Sequence, residues 1–191
     1  MVTVRNSHTL VALVQDKPGV LNRVSSMFRR RGFNISSLAV GHSEQDGLSR
    51  MTFVVEGDDA TVEQVTKQLY KLVDVVRVSD LSNEAVVYRE LAMVRVRATS
   101  QTRSEIMQLV DIFRANIIDV ASDSLIIEVT GDEDKIDSLQ KLLKGFGLME
   151  VMRTGRVAML RGNASAAQES GRRRSPNGAR ANKPQDYEQI L

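Results

Sequence analysis

Thr9-Leu10-Val11-Ala12-Leu13-Val14-Gln15-Asp16-Lys17-Pro18-Gly19-Val20-Leu21 joins an apolar run of β formers to the start of an amphipathic helix, and this junction decides how the chain is read. The apolar run predicts a strand over about 8–14. Past the turn, Val20, Leu21, Val24, Met27 and Phe28 fall at i, i+1, i+4, i+7 and i+8, one face of a helix over about 18–30. Pro18 suits a first helical turn, where its missing N–H goes unused. Gly19 has no Cβ, so another molecule can approach its backbone closely. The free amides of Gly19, Val20 and Leu21 then point outward at the positive end of the helix dipole, a site for a small carboxylate. Asp16 stands beside them and can take an ammonium group. Donors and an acceptor so placed suit a free amino acid. Taken alone, residues 15–21 also read as an N-capping Asp followed by an ordinary Pro-Gly turn.

Working outward, Gly32 stops the helix after a basic last turn of Arg29, Arg30 and Arg31. Residues 33–42 and 48–56 are β-rich runs around Ser43-Glu44-Gln45-Asp46-Gly47, a hairpin with Asp-Gly at its tip. A helix over 60–73 turns Val62, Val65, Leu69 and Leu72 inward, and 75–81 forms a fourth strand. After Ser82-Asn83-Glu84 the pattern repeats: strand 89–99, a stripe of Ile106, Leu109, Val110 and Phe113, and strands 117–121 and 125–130. Ile136, Leu139 and Leu142 mark a further helix, and 148–160 reads as one closing strand. The βαββαβ order predicts an α+β fold of two ferredoxin-like units in tandem, 8–81 and 86–161, each an antiparallel sheet with both helices on one face. Units this small leave an apolar sheet face in need of cover, which a second copy of the chain would supply. Residues 163–191 hold two of the three prolines and, of the large aliphatic residues, only Ile190 and Leu191, a composition that predicts a disordered tail.

Composition narrows the function. The chain of 191 residues has no Cys, which removes disulfides, thiolate chemistry and zinc knuckles and fits a reducing, cytoplasmic setting. His8 and His42 stand far apart and read as surface or strand residues rather than as metal ligands. No window is apolar enough to span a membrane, and residues 1–7 lack the apolar core of a secretory signal. Five of the 26 basic and three of the 24 acidic side chains fall after residue 163. The body is therefore charge-balanced, and the alkaline pI does not call for nucleic acid. Eight Phe and Tyr residues and no Trp leave the strands without the aromatic signature that stacks bases. No Ser sits in a nucleophile setting and no His has an acid–base partner. Asp132, Glu133 and Asp134 follow Gly131 as the dipole-matched start of a helix.

Asp16-Lys17-Pro18-Gly19-Val20-Leu21, Phe28, Arg31-Gly32-Phe33-Asn34-Ile35, Ser37-Leu38 and Leu48-Ser49-Arg50-Met51-Thr52 occur in that order. Lys67-Gln68-Leu69, Lys71-Leu72-Val73-Asp74-Val75 and Arg89-Glu90-Leu91 follow. Together they resemble the small regulatory subunit of acetolactate synthase, also called acetohydroxyacid synthase, over about residues 8–161. The resemblance implies an N-terminal ACT domain that binds a branched-chain amino acid, usually valine, at a homodimer interface. It also implies a C-terminal domain of related topology and no catalysis or cofactor of the chain's own. The catalytic partner subunit is expected to carry thiamine diphosphate, Mg²⁺ and FAD, and to be activated by this chain and inhibited through it by valine. Effector contacts carry over to Asp16, Gly19, Val20 and Leu21 of one chain and to Asn34 and Ile35 of the other. Some members have Asn in place of Asp16. The second unit has Thr99-Ser100-Gln101-Thr102-Arg103 where the first has its Pro-Gly turn, so no second effector site is expected there. A stand-alone ACT-type amino-acid sensor acting on another enzyme is the alternative. An acylphosphatase-like enzyme shares the fold, but neither unit has a phosphate-binding Arg loop.

Overall fold

The computed structural model describes residues 7–162, and the tail predicted over 163–191 lies outside them. The first unit runs β1 (Ser7–Gln15), α1 (Val20–Arg31), β2 (Ile35–His42), β3 (Leu48–Glu56), α2 (Asp59–Leu69) and β4 (Val75–Asp80). Its sheet has the order β2-β3-β1-β4 with every neighbour antiparallel. The second runs β5 (Val86–Arg97), α3 (Arg103–Ile112), β6 (Asn116–Val120), β7 (Ser124–Gly131), α4 (Glu133–Leu143) and β8 (Leu148–Arg153), in the order β6-β7-β5-β8. A last strand, β9 (Val157–Leu160), pairs with Val86–Arg89 at the start of β5. The tandem α+β plan is the one read from the sequence.

Strand alternation builds each core. Leu10, Ala12 and Val14 of β1 meet Met51, Phe53 and Val55 of β3 beneath Val24, Met27 and Phe28 of α1. Phe28 stacks on Phe53 with ring centroids 5.4 Å apart. The second core is aliphatic, centred on Ile106, Ile127, Ile136, Leu139 and Leu143. Arg153 at the end of β8 forks onto the Glu90 carboxylate at 2.7 and 2.8 Å and reaches Asp137 of α4 at 2.7 Å. Those bonds, Glu90's first, raise the guanidinium pKa above its ordinary value.

Several details differ from the sequence expectation. Helix α1 begins at Val20, because Gly19 has φ +86° and cannot be helical; Pro18 sits in the preceding turn. Leu21 is 45% exposed rather than part of the buried face. In α4 the third inward position is Leu143, and Leu142 is exposed. Helix α2 stops at Leu69, leaving Leu72 packed on the core from the following turn. The single closing strand is two, broken at Thr154-Gly155-Arg156, where Gly155 has φ +85°. That break matters for the open face of the first sheet. Part of it is covered not by a second copy but by the β5–β9 ribbon, whose Ala158 packs with Val11 and Leu81.

Candidate functional site

The loop after β1 is pinned before α1 starts. The Asp16 amide donates to the Gly47 carbonyl at the hairpin tip (2.8 Å), and Lys17 N–H donates to Gln15 (3.1 Å). Val20 N–H closes the turn onto the Lys17 carbonyl at 3.3 Å. Of the three amides expected to face outward, Val20's is therefore spent within the turn. Those of Gly19 and Leu21 have no acceptor among the described residues. Gly19 is the N-cap of α1, makes no side-chain cap, and no acidic residue stands in the first helical turn. A Cβ built on Gly19 would meet nothing within 4 Å, so the backbone faces open space there. An uncapped helix start with free amides and a clear approach favours an anionic group.

Asp16 is exposed, and its carboxylate lies 3.1 Å from Nδ1 of His42, the last residue of β2. Sequence reading missed this partner because it depends on strand register: β1 and β2 both pair antiparallel with β3, so they run the same way and end together. Arg23 on α1 pairs with the buried Asp74, whose carbonyl accepts the Gln15 amide at 2.8 Å. This ties the start of α1 to the segment before β4. In the hairpin, Glu44 bonds its own amide, the Ser43 hydroxyl and Arg50, which hold its carboxyl below the usual range.

Asn34 and Ile35 are elsewhere. They lie beyond the other end of α1, twelve residues and about 18 Å along its axis from Gly19. Asn34 is exposed and Ile35 half-buried against the first core. One chain thus gathers Asp16, Gly19, Val20 and Leu21 but holds Asn34 and Ile35 at the opposite end of the sheet. Strand β2 lies at the sheet edge, and its Val40 is 48% exposed.

The corresponding turn of the second unit is closed by its own hydroxyls. Thr99 N–H donates to Thr102 Oγ1 (3.0 Å) and Thr102 N–H to Thr99 Oγ1 (3.3 Å). Arg103 donates to the Ala121 and Ser122 carbonyls. His8 is buried on β1 with Nδ1 3.1 Å from Ser82 Oγ. A cleft of about 340 Å³, unforeseen from the sequence, opens between the units, with Ala39, Arg50 and Thr52 on one side and Arg89, Val157 and Met159 on the other. No helix among the described residues is long and apolar enough to cross a membrane.

Comparison with known proteins agrees with this architecture. Residues 10–77 match the AHAS small subunit-like ACT domain, and residues 89–162 match the family described as small subunit of acetolactate synthase. A protein of Archaeoglobus fulgidus named "probable acetolactate synthase small subunit" is 58% identical over 156 residues, covering 82% of this chain and 98% of its own. The acetolactate synthase small subunit of Mycolicibacterium smegmatis is 49% identical over 156 residues, 82% of this chain and 92% of that one. The crystal structure of the acetolactate synthase small subunit from Thermotoga maritima superposes with a TM-score of 0.77 at 48% identity, covering 82% of this chain and 98% of that one. Fold, domain order and relatives agree, and the chain belongs to the family of acetolactate synthase small subunits.

Proposed function

We propose that this chain activates an acetolactate synthase catalytic subunit and lets valine switch it down by binding between two copies of the N-terminal unit. The observation that carries the reading is the direction of the edge strand. Because β2 runs parallel to β1, a two-fold axis that pairs β2 with its copy antiparallel sets the His42 end of one chain against the Ile35 end of the other. Asp16 already reaches that edge through His42. The pairing would therefore join Asp16, Gly19 and Leu21 of one chain to Asn34 and Ile35 of its partner. The two halves, about 18 Å apart within one chain, would become one site. Exposed Leu21 and Val40 would be covered at the same contact.

In that site the free amides at the start of α1 take the ligand carboxylate and Asp16 takes its ammonium, releasing His42. The aliphatic side chain rests against Ile35. The chain has no catalytic role here; the thiamine diphosphate, Mg²⁺ and FAD belong to the catalytic subunit, in the cytoplasm. Adding the purified chain to that subunit and assaying acetolactate formation tests the reading. Activity should rise on addition and fall again with valine. No rise would remove the regulatory role, and a rise indifferent to valine would favour another effector.

A further inference from the structure

An effector bound on β2 can act through the second unit where the two are in contact, and one short strap joins them there. Thr154-Gly155-Arg156 links β8 to β9. On the side of the second unit, Thr154 N–H donates to the Leu91 carbonyl at 3.0 Å, directly after the Arg153 fork onto Glu90. On the other side the strap lies against β2. A Cβ added to Gly155 would sit 2.9 Å from Ser37 Oγ and 3.1 Å from the Leu38 carbonyl oxygen, and φ there is +85°. Only glycine allows that approach.

Arg156 then touches every layer of the junction. Its amide donates to Ser37 Oγ on β2 at 2.8 Å, and its guanidinium donates to Thr9 Oγ1 on β1 at 3.3 Å. The same guanidinium pairs with Glu133, the first residue of α4, and lies 5.1 Å from the centroid of the Tyr88 ring on β5. Its side chain is 18% exposed. Ser37 stands at the bulge in β2, two residues from Ile35. The bulge interrupts the β2–β3 ladder between Ile35 and Ser37, so Ser37 is the first residue past Ile35 that pairs again with β3, and a displacement of Asn34 and Ile35 is passed along the backbone to it. The cleft of about 340 Å³ beside the strap leaves the β5–β9 ribbon room to move against β2.

We infer that Arg156, seated on Gly155, is the positioning residue that couples the effector-binding strand β2 to the second unit. The inference rests on the reading of the effector site proposed above. The test uses the full chain with its catalytic subunit and three variants: Arg156→Ala, Arg156→Lys and Ser37→Ala. Valine affinity is measured by calorimetry on the chain, valine inhibition on the reconstituted enzyme, and hydrogen exchange over 154–160 with and without valine. Arg156→Ala should bind valine within about twofold of the parent, while the half-inhibiting valine concentration rises at least about fivefold. Valine should change exchange over 154–160 in the parent and not in Arg156→Ala. Arg156→Lys, which keeps the charge toward Glu133, should recover part of the inhibition. Ser37→Ala asks the same question should Arg156→Ala fail to fold. Inhibition of a folded variant at the parent's midpoint would overturn the inference, as would parallel loss of binding and inhibition. A parent chain that binds no valine would instead sink the effector site, and that arm is read before any variant.

Discussion

Gly19 meets two demands that no other residue meets together. Its φ of +86° costs a residue bearing a Cβ about 1–2 kcal/mol, and the side chain would project into the open space through which the proposed ligand would approach. Gly19→Asp would place a carboxylate at the amides meant for the ligand's own. A charge-assisted hydrogen bond contributes roughly 1.5–3 kcal/mol, and association costs at least about 4 kcal/mol in lost freedom. Three or four such bonds and a small apolar contact give binding in the micromolar to millimolar range, suited to sensing a metabolite. Gly19→Asp and Asn34→Ala are each expected to abolish valine inhibition while activation of the catalytic subunit persists. Acetolactate assays on the reconstituted enzyme check this, with Gly19→Ala separating strain from blockage. Full valine sensitivity in both would place the pocket elsewhere. The Asp16–Gly19 turn itself was legible because a Pro-Gly turn before an amphipathic stripe is local chemistry. His42 and Asp74 were not, because each reaches that turn through strand register and tertiary packing.

Helix starts show how separate elements hold. Asp58 caps α2 by accepting from the Thr61 hydroxyl and amide, and those bonds, the hydroxyl's first, lower its carboxyl pKa. A depressed folded value means the contribution is complete above the ordinary carboxylate range and is lost as pH falls through the folded value. Melting temperature should therefore drop as pH falls below about 4, and the drop should be shallower in Asp58→Asn. Steepness unchanged by the substitution would contradict the assignment. Asp132 caps α4 in the same way, accepting from the Lys135 amide at 2.9 Å, and Asp132→Ala should cost about 1 kcal/mol in urea unfolding. Phe53 is fully buried against Phe28, so Phe53→Ala should cost about 3–5 kcal/mol on the same measurement. Periodicity located these elements but not all their ends. Residues 148–160 remain β-like on both sides of Gly155, so only the approach of β2 reveals why the strand breaks there.

At the scale of the whole molecule, the tandem plan was readable because each hydrophobic period is local, whereas what covers each sheet is not. Sequence alone left the open face of the first sheet to a second copy; the β5–β9 ribbon takes part of it, because β5 extends past its own sheet to pair with β9. The outer edge of β2 stays unpaired among the described residues, the edge that the proposed second copy would take. Sedimentation should find a dimer at micromolar concentration, and a monomer with or without valine would count against the shared site. The central claim is that each effector site is built from two chains, and mixed dimers test it most directly. Gly19→Asp spoils one half of a site and Asn34→Ala the other, so a dimer of one of each contains one doubly damaged site and one intact site. Neither variant alone should bind valine by calorimetry. Unfolding and refolding them together in equal amounts should restore about a quarter of the parent's sites, at the parent's affinity, as random pairing of two-fold dimers requires. A mixture that binds no more valine than its components would contradict a site shared between chains.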